Sequence, residues 1–137
     1  MSCKGQTESD KRFSAEGEFA YNVQLAHFET GQVESRGECT KEIFIKEFEK
    51  FKWKEQLTQA NINLSVSPTI SVINNESKNE MGISVVGNNE NDYGFWIFYG
   101  KDGFMNSIEV YDEKSVIPYV EKFFLLDFKT LDNEFKN

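Results

Sequence analysis

The sequence has few of the residues that build the common metal and nucleophile sites. It contains one histidine, His27, and two cysteines, Cys3 and Cys39. A single histidine excludes histidine-rich zinc sites, and neither cysteine lies in a recognisable nucleophile motif that could pair with His27. Glycine-rich phosphate-binding motifs and the G-x-S-x-G motif do not occur. We therefore predict no catalytic residue, no metal and no cofactor.

Long hydrophobic runs are also missing. No signal-like apolar run occurs near the start, and no window approaches the ~20 apolar residues that a membrane span needs. Two cysteines make at most one pair, which is not a disulfide framework. These features predict a reduced, cytoplasmic protein, although a mature form that has lost its signal would look the same.

Positive charge is in deficit. Lys and Arg number 15 against 23 Asp and Glu, which gives a net charge of -8. Such a surface repels phosphate backbones, so we expect neither nucleic acid nor an anionic membrane as partner. Aromatic residues nevertheless make up 15% of the 137 residues, which is too many for a disordered acidic chain. We predict a flexible N-terminal lead-in over residues 1–12 and one folded domain over 13–137.

Alternating apolar residues predict a β-sheet. The segment from Phe19 to His27 has a period of two, and residues 32–38 follow a turn as a short return strand. Further strands are predicted at 62–66, 69–73, 81–86, 93–99 and 104–110. The segment 93–99 is apolar on both faces, which is typical of a central strand or of a strand that a partner covers.

Two segments have the period of an amphipathic helix. The first is predicted from its N-cap Thr40 to about Gln59, with an alternation of Phe51 and Trp53 as the competing strand signal. The second is predicted to begin after the N-cap Ser115, which puts Pro118 at the third helical position, where proline is tolerated. The element order indicates an α+β fold in which an antiparallel sheet of about five to six strands carries two helices on one face.

Three candidate sites have simpler explanations. The segment Asn88–Gly94 resembles a calcium loop but lacks the required glutamate, so a hairpin loop is the better interpretation. His27 has no specific partner for general-base catalysis. The acids Glu109, Asp112 and Glu113 could form a glycosidase-like pair, but acids near the start of the last helix are favoured there by its dipole.

The strongest local feature is the aromatic strand 93–99 with acidic residues around it. An aromatic centre with an acidic rim is typical of an interface for a basic protein. We therefore expect a basic protein partner and predict nine partner-binding residues: Glu90, Asp92, Tyr93, Trp96, Asp102, Glu109, Tyr111, Asp112 and Glu113.

The layout of residues 48–99 resembles that of immunity proteins of bacterial toxin systems. The resemblance lies in Phe48, Phe51, Trp53 and Leu57, then Ser67–Val72, Gly82–Val85 and Phe95–Phe98. It implies a small, acidic, non-enzymatic inhibitor that neutralises a toxin domain, often a basic nuclease, by covering its active site. Contact residues vary widely among such proteins, so none is assigned from the resemblance.

Two other functions stay open at this point. The chain could be a small-molecule carrier or enzyme whose curved sheet encloses a pocket lined by aromatics such as Trp96 and Tyr21. It could also be a self-assembling module that pairs through an exposed strand edge.

Overall fold

The computed structural model describes residues 17–63 and 66–136, where the chain forms an antiparallel sheet with helices. The strands are β1 Phe19–Gln24, β2 Glu34–Glu38, β3 Thr69–Asn74, β4 Asn79–Asn89, β5 Asp92–Lys101 and β6 Phe104–Val110. The helices are α1 Lys41–Lys50, α2 Trp53–Asn63, α3 Glu113–Phe124 and α4 Phe128–Glu134. The predicted lead-in, residues 1–12, lies outside the described residues.

The strand order is β2-β1-β3-β4-β5-β6, and every neighbouring pair is antiparallel. The strands β3 to β6 form a meander, whereas β1 pairs with both its hairpin partner β2 and the distant β3. This confirms the predicted α+β class and the antiparallel sheet of about five to six strands, of which the described residues form six. The two predicted helical segments become four helices in the described chain, because each segment is divided.

The sheet has two different faces. One row on the face that the helices cover consists of Val23, Ile70, Ile83, Ile97 and Ile108. The helices bury against it Phe44, Phe48, Trp53, Leu57, Val116, Val120, Phe123 and Leu131. Each fully buried phenylalanine contributes about 1.5–3 kcal/mol of transfer free energy, so the side chains between the sheet and the helices form the hydrophobic core and provide most of the folding free energy. The opposite row, which defines what we call the second face, is Asn22, Ser71, Gly82, Phe98 and Ser107.

The first strand is shorter than predicted. It ends at Gln24, and the N–H of Phe28 donates to the carbonyl of Leu25 at 2.9 Å, which closes a turn. The N–H of Ala26 donates to the side-chain oxygen of Gln56 at 2.7 Å. The placement of His27 at a strand end is therefore wrong. The apolar alternation of the sequence continues past Gln24, but the backbone N–H groups of Ala26 and Phe28 donate to α2 and to a turn instead of to a neighbouring strand.

The predicted helix from Thr40 to Gln59 is divided at Phe51. Thr40 is the N-cap as predicted, and its hydroxyl accepts from the N–H of Ile43 at 3.2 Å. Phe51 has extended backbone angles, with ψ at 136°. Beyond this break the indole N–H of Trp53 turns back and donates to the carbonyl of Phe48 at 2.9 Å. The competing alternation signal thus marks the break, because both aromatic residues can face the core only if the helix stops between them.

The predicted strand 62–66 is wrong at its start, and residues 64 and 65 lie outside the described residues. Helix α2 continues to Asn63, and Ile62 is 73% exposed. The amide of Asn61 donates to the carbonyls of Gly87 and Asn88, at 3.3 and 3.2 Å, and joins the end of α2 to β4. A contact between residues so far apart in the chain has no signal in the local alternation. The polar loop predicted at 87–92 is shorter too, because β4 runs to Asn89 and leaves a two-residue turn.

Helix α3 begins earlier than predicted. Its N-cap is Asp112, whose Oδ1 accepts from the N–H and the hydroxyl of Ser115 at 2.8 and 2.9 Å. Ser115 is therefore not the cap, and Pro118 lies inside the helix at the sixth position instead of the third. The apolar residues Val116, Val120, Phe123 and Phe124 were expected to form its buried stripe; the first three are buried, and Phe124 is half-buried.

Among the described helices, none has both the length and the apolar character to cross a membrane; the longest, α3, has 12 residues.

Candidate functional site

The end of β6 and the start of β5 meet at one corner of the sheet, because the two strands are antiparallel. Trp96 pairs with Glu109, and Phe95 pairs with Val110. The chain then leaves β6 through Tyr111 and enters α3. We call Trp96, Glu109, Tyr111, Asp112 and Glu113 the corner patch. These five predicted residues, which the strand pairing brings together, combine two aromatic rings with three carboxylates.

The aromatic residues of the corner patch are exposed to solvent. Trp96 is 42% exposed and Tyr111 is 75% exposed. The Tyr111 hydroxyl donates to Oε1 of Glu109 at 3.4 Å, which links the ring to the carboxylate beside Trp96. Gly94 makes this arrangement possible, since a Cβ at that position would lie 2.7 Å from the Val110 carbonyl oxygen and 3.4 Å from the Tyr111 ring. Large exposed rings of this kind are typical of a binding surface.

The carboxylates of the corner patch are held next to the helix end. Hydrogen bonds from the hydroxyl and the N–H of Ser115 lower the pKa of Asp112 below its usual value. Glu113 occupies the first turn of α3, where the helix dipole favours negative charge. A concavity of about 630 Å³ opens here and is lined by Asn91, Tyr93, Phe95, Tyr111, Asp112, Glu113 and Lys114. Two carboxylates, Asp112 and Glu113, and one cation, Lys114, therefore line it, which leaves an excess of negative charge.

The other four predicted residues take different places. Glu90 and Asp92 lie at the β4–β5 turn, at the same end of the sheet, and Asn88 donates to Oδ2 of Asp92 at 3.0 Å. Tyr93 is half-buried on the helix-covered face, with its ring centroid 5.8 Å from that of Phe95, and it lines the same concavity as Tyr111, Asp112 and Glu113. Asp102 lies in the β5–β6 turn, beyond the other end of the ten-residue strand β5. At about 3.4 Å per residue, Asp102 lies ~20 Å along the strand from Trp96, the residue that β5 contributes to the corner patch, so Asp102 does not join it.

Strand β5 is apolar on both faces although it is not central. It lies second from one edge in the strand order. On the helix-covered face Phe95 and Ile97 are buried, whereas on the second face Trp96 is exposed and Phe98 is half-buried. The rings of Trp96 and Phe98 meet edge to face at 6.0 Å. The apolar character of β5 was expected to mean either a central strand or a strand that a partner covers. Because β5 is not central, the strand order favours the second explanation.

A second concavity, which sequence reasoning missed, lies on the second face. It measures about 390 Å³, and its lining includes Gln24, Ser71, Gly82, Phe98 and Met105. The lining combines the small residues Ser71 and Gly82 with the larger side chains of Phe98 and Met105. Trp96 and Tyr21 cannot line one pocket, as the small-molecule alternative expected, because Tyr21 packs on the opposite face of the sheet.

Asn22 lies beside this concavity, in register with Ser71. It is 1% exposed, and neither the oxygen nor the nitrogen of its amide has a hydrogen-bond partner in the described structure. An unpaired buried amide costs about 1–3 kcal/mol per group. A lone asparagine within the apolar alternation of residues 19–23 is the only sequence signal that marks it.

Cys39 is not suited to nucleophilic chemistry. It is buried, and burial together with the nearby Glu47 carboxylate raises the pKa of its thiol to about 12. The thiol is protonated at neutral pH and lacks the thiolate form that attacks electrophiles. Within residues 17–63 and 66–136, no three His, Cys, Asp or Glu side chains are grouped to hold a metal ion.

No protein-family model, curated protein or solved structure matches the chain. The function is therefore inferred from the geometry and charge of the corner patch.

Proposed function

We propose that this protein binds a basic protein partner through the corner patch. We further propose that the partner is a bacterial toxin domain, such as a nuclease, and that binding in the cytoplasm neutralises it by covering its active site. The observation that carries the proposal is the second face of β5, where Trp96 remains exposed beside the carboxylate of Glu109.

Charge supports a basic partner. Residues 104–113 contain three carboxylates, Glu109, Asp112 and Glu113, and no Lys or Arg. Clustered carboxylates accelerate the encounter with a basic surface and can occupy the sites where a nuclease holds phosphates. The association rate should therefore fall as ionic strength rises.

The aromatic rings supply the apolar part of the contact. Trp and Tyr are enriched among the residues that dominate binding energy, provided that acidic and polar neighbours exclude water around them. Trp96 of β5 pairs with Glu109 of β6, and Tyr111, just beyond the end of β6, donates to Glu109, so one partner loop can cover all three.

The experiment takes as candidate partner any basic domain that an adjacent gene encodes and measures association and dissociation rates by surface plasmon resonance. The double variant Glu109→Gln with Glu113→Gln should lower the association rate about 5–10-fold at low salt. The matched control, Glu49→Gln with Glu55→Gln, removes the same charge from exposed positions on α1 and α2 and should change the rate less than twofold.

Trp96→Ala tests the aromatic contact in the same assay. A hot-spot residue costs at least ~2 kcal/mol, so the dissociation rate should rise about 30-fold. If the two double variants behave alike, or if Trp96→Ala binds as tightly as the native chain, the corner patch is not the binding surface. If no basic domain binds, the proposed function is wrong.

A second candidate function is small-molecule binding in the concavity on the second face. The unpaired amide of Asn22 beside it is the observation that favours this function. NMR titration with small amides such as acetamide and nicotinamide should then move the resonances of Ser71, Gly82 and Phe98 and leave those of the corner patch unchanged. The absence of any such shift at millimolar concentrations would count against it.

A further inference from the structure

Trp96 and Glu109 lie side by side on the second face, because they are paired across β5 and β6. Side chains of paired residues leave the same face of a sheet, with Cβ atoms about 4.5–5.5 Å apart. We propose that this pair binds an arginine side chain of the basic partner, whose guanidinium stacks on the Trp96 indole and pairs with the Glu109 carboxylate; this rests on the function proposed above.

The indole of Trp96 is open to solvent and bordered by two aromatic rings along its strand. Trp96 is 42% exposed. The Phe98 ring, two residues further along β5, meets it nearly at right angles, with the ring centroids 6.0 Å apart. On the other side the Tyr111 ring lies over Gly94, since a Cβ at Gly94 would come within 3.4 Å of it. Tryptophan attracts cations more strongly than any other aromatic residue, so the exposed part of Trp96 is suited to a cationic group.

The carboxylate of Glu109 is available for a cation beside this ring. Glu109 is exposed, and its Oε1 accepts a long hydrogen bond from the Tyr111 hydroxyl, at 3.4 Å. None of the ion pairs formed within residues 17–63 and 66–136 involves Glu109. An ionised carboxylate has about four acceptor positions, so Glu109 can also accept two parallel N–H bonds from one guanidinium.

The chemistry of the ring and the carboxylate favours arginine over lysine. The planar guanidinium is weakly hydrated, stacks on aromatic rings and offers a carboxylate two N–H donors, whereas the lysine ammonium is a strongly hydrated point charge. An apolar side chain over Trp96 would take water away from Glu109 without replacing its hydrogen bonds. An acidic side chain would be repelled by Glu109. Arginine is therefore the occupant that satisfies both groups.

The two tryptophans make a direct test possible in the full-length, isotopically labelled protein. The capped tripeptide Gly-Arg-Gly is titrated while NMR follows both indole N–H resonances. The Trp96 resonance should shift with a Kd on the order of 0.1 M, as expected for one exposed cation–π contact and one exposed ion pair. Trp53 is the internal reference, because it is 3% exposed and its indole N–H donates to the carbonyl of Phe48. The capped tripeptide Gly-Lys-Gly has the same charge and should bind at least about threefold more weakly.

Two substitutions of equal charge separate this site from the general acidity of the corner patch. Glu109→Gln should weaken binding of Gly-Arg-Gly at least about threefold, because the carboxylate beside the ring is lost. Glu113→Gln removes the same charge from the first turn of α3, outside the Trp96–Glu109 pair, and should weaken binding less than about 1.5-fold. In Trp96→Leu, followed at the backbone amide of Glu109, the preference for arginine over lysine should disappear.

Each contrary outcome has a distinct meaning. If Trp96 does not shift, if both peptides shift it equally, or if Glu113→Gln weakens binding as much as Glu109→Gln, the arginine site is overturned. The proposed basic-partner function is then decided separately by the binding of a basic domain. If Gly-Arg-Gly binds as expected but no basic domain binds, the proposed function is wrong although the pair binds a guanidinium. If sedimentation shows a dimer that Trp96→Leu dissociates, a second copy covers the ring, and a partner arginine as occupant is overturned.

Discussion

The hydrogen bond between Tyr99 and Asp132 attaches the last helix to the sheet, and its removal has a calculable cost. Tyr99 is 4% exposed in β5, and its hydroxyl donates to Oδ1 of Asp132 at 2.9 Å. Helix α4 has seven residues, too few to be stable alone, so it depends on such contacts. The Tyr99 ring also packs against Phe128 and Phe135, with centroid distances of 6.4 and 5.4 Å. Tyr99→Phe keeps these ring contacts and removes only the hydroxyl.

We expect Tyr99→Phe to lower the free energy of unfolding by about 1.5 kcal/mol. A hydrogen bond to a charged group contributes about 1.5–3 kcal/mol. The lower figure applies because Asp132 is exposed, so water can solvate its carboxylate once the hydroxyl is gone. For a chain of this size the corresponding decrease in Tm is about 5 °C.

Urea unfolding followed by tryptophan fluorescence measures this change. The variants Tyr99→Phe, Asp132→Ala and the double variant form a cycle, in which we expect a coupling energy of about 1 kcal/mol. Tyr111→Phe is the control, because that hydroxyl is exposed and its contact with Glu109 is long, at 3.4 Å. A coupling below about 0.3 kcal/mol, or an equal loss in Tyr111→Phe, would refute the reasoning.

The same bond predicts a pH dependence. Burial, then the hydrogen bond and the charge of Asp132, raise the pKa of Tyr99 above its usual value of 10.0. The native state holds this proton more tightly than the unfolded state, so the stabilisation is complete below about pH 10 and declines as the pH rises further. Between pH 9 and 11 the free energy of unfolding should fall less steeply in Tyr99→Phe than in the native chain.

Two further predictions concern close packing. Gly100→Ala should lower the free energy of urea unfolding by at least about 2 kcal/mol, because a Cβ there would lie 2.0 Å from the Phe104 carbonyl oxygen. Gly82→Ala is the control and should cost less than about 1 kcal/mol, because the atom nearest to its Cβ would be the Ser71 Cβ at 3.4 Å. Equal losses in the two variants would contradict this. The second prediction concerns Cys39 and is tested in a Cys3→Ser background with Ellman's reagent at pH 8. The native protein should be labelled at Cys39 at least about 100-fold more slowly than the unfolded protein, because burial raises the pKa of the Cys39 thiol to about 12. Labelling of the native protein at the unfolded rate would show that the thiol is accessible.

Local patterns in the sequence predict which segments form strands but not how the strands are arranged. The period of two places β3, β4, β5 and β6 correctly, because a half-buried strand must alternate. The alternation does not show that β1 pairs with β3, because the paired residues Gln24 and Thr69 are far apart in sequence and meet only in the folded chain. The same limit explains why the end of α2, which Asn61 fixes on β4, was predicted as a strand.

Local patterns place part of the candidate site and misplace the rest for one physical reason. Glu109, Tyr111, Asp112 and Glu113 are close in sequence, so they stay together in any fold. Trp96 joins them through the β5–β6 register. Asp102 is closer to Trp96 in sequence than Tyr111 is. Asp102 nevertheless lies at the opposite end of the sheet, because the ten-residue strand β5 is extended. Asn22 was missed because its burial depends on the whole sheet.

The two faces of β5 and β6 separate the residues that fold the sheet from those of the proposed binding surface. The core depends on Phe95, Ile97 and Ile108, whereas Trp96 and Glu109 belong to the second face and contribute little to it. Substitutions of exposed residues away from the core usually change stability by less than about 0.5 kcal/mol. The exposed aromatic and acidic residues can therefore be substituted with little effect on stability, while the buried side chains one position away in the same strands keep the fold unchanged.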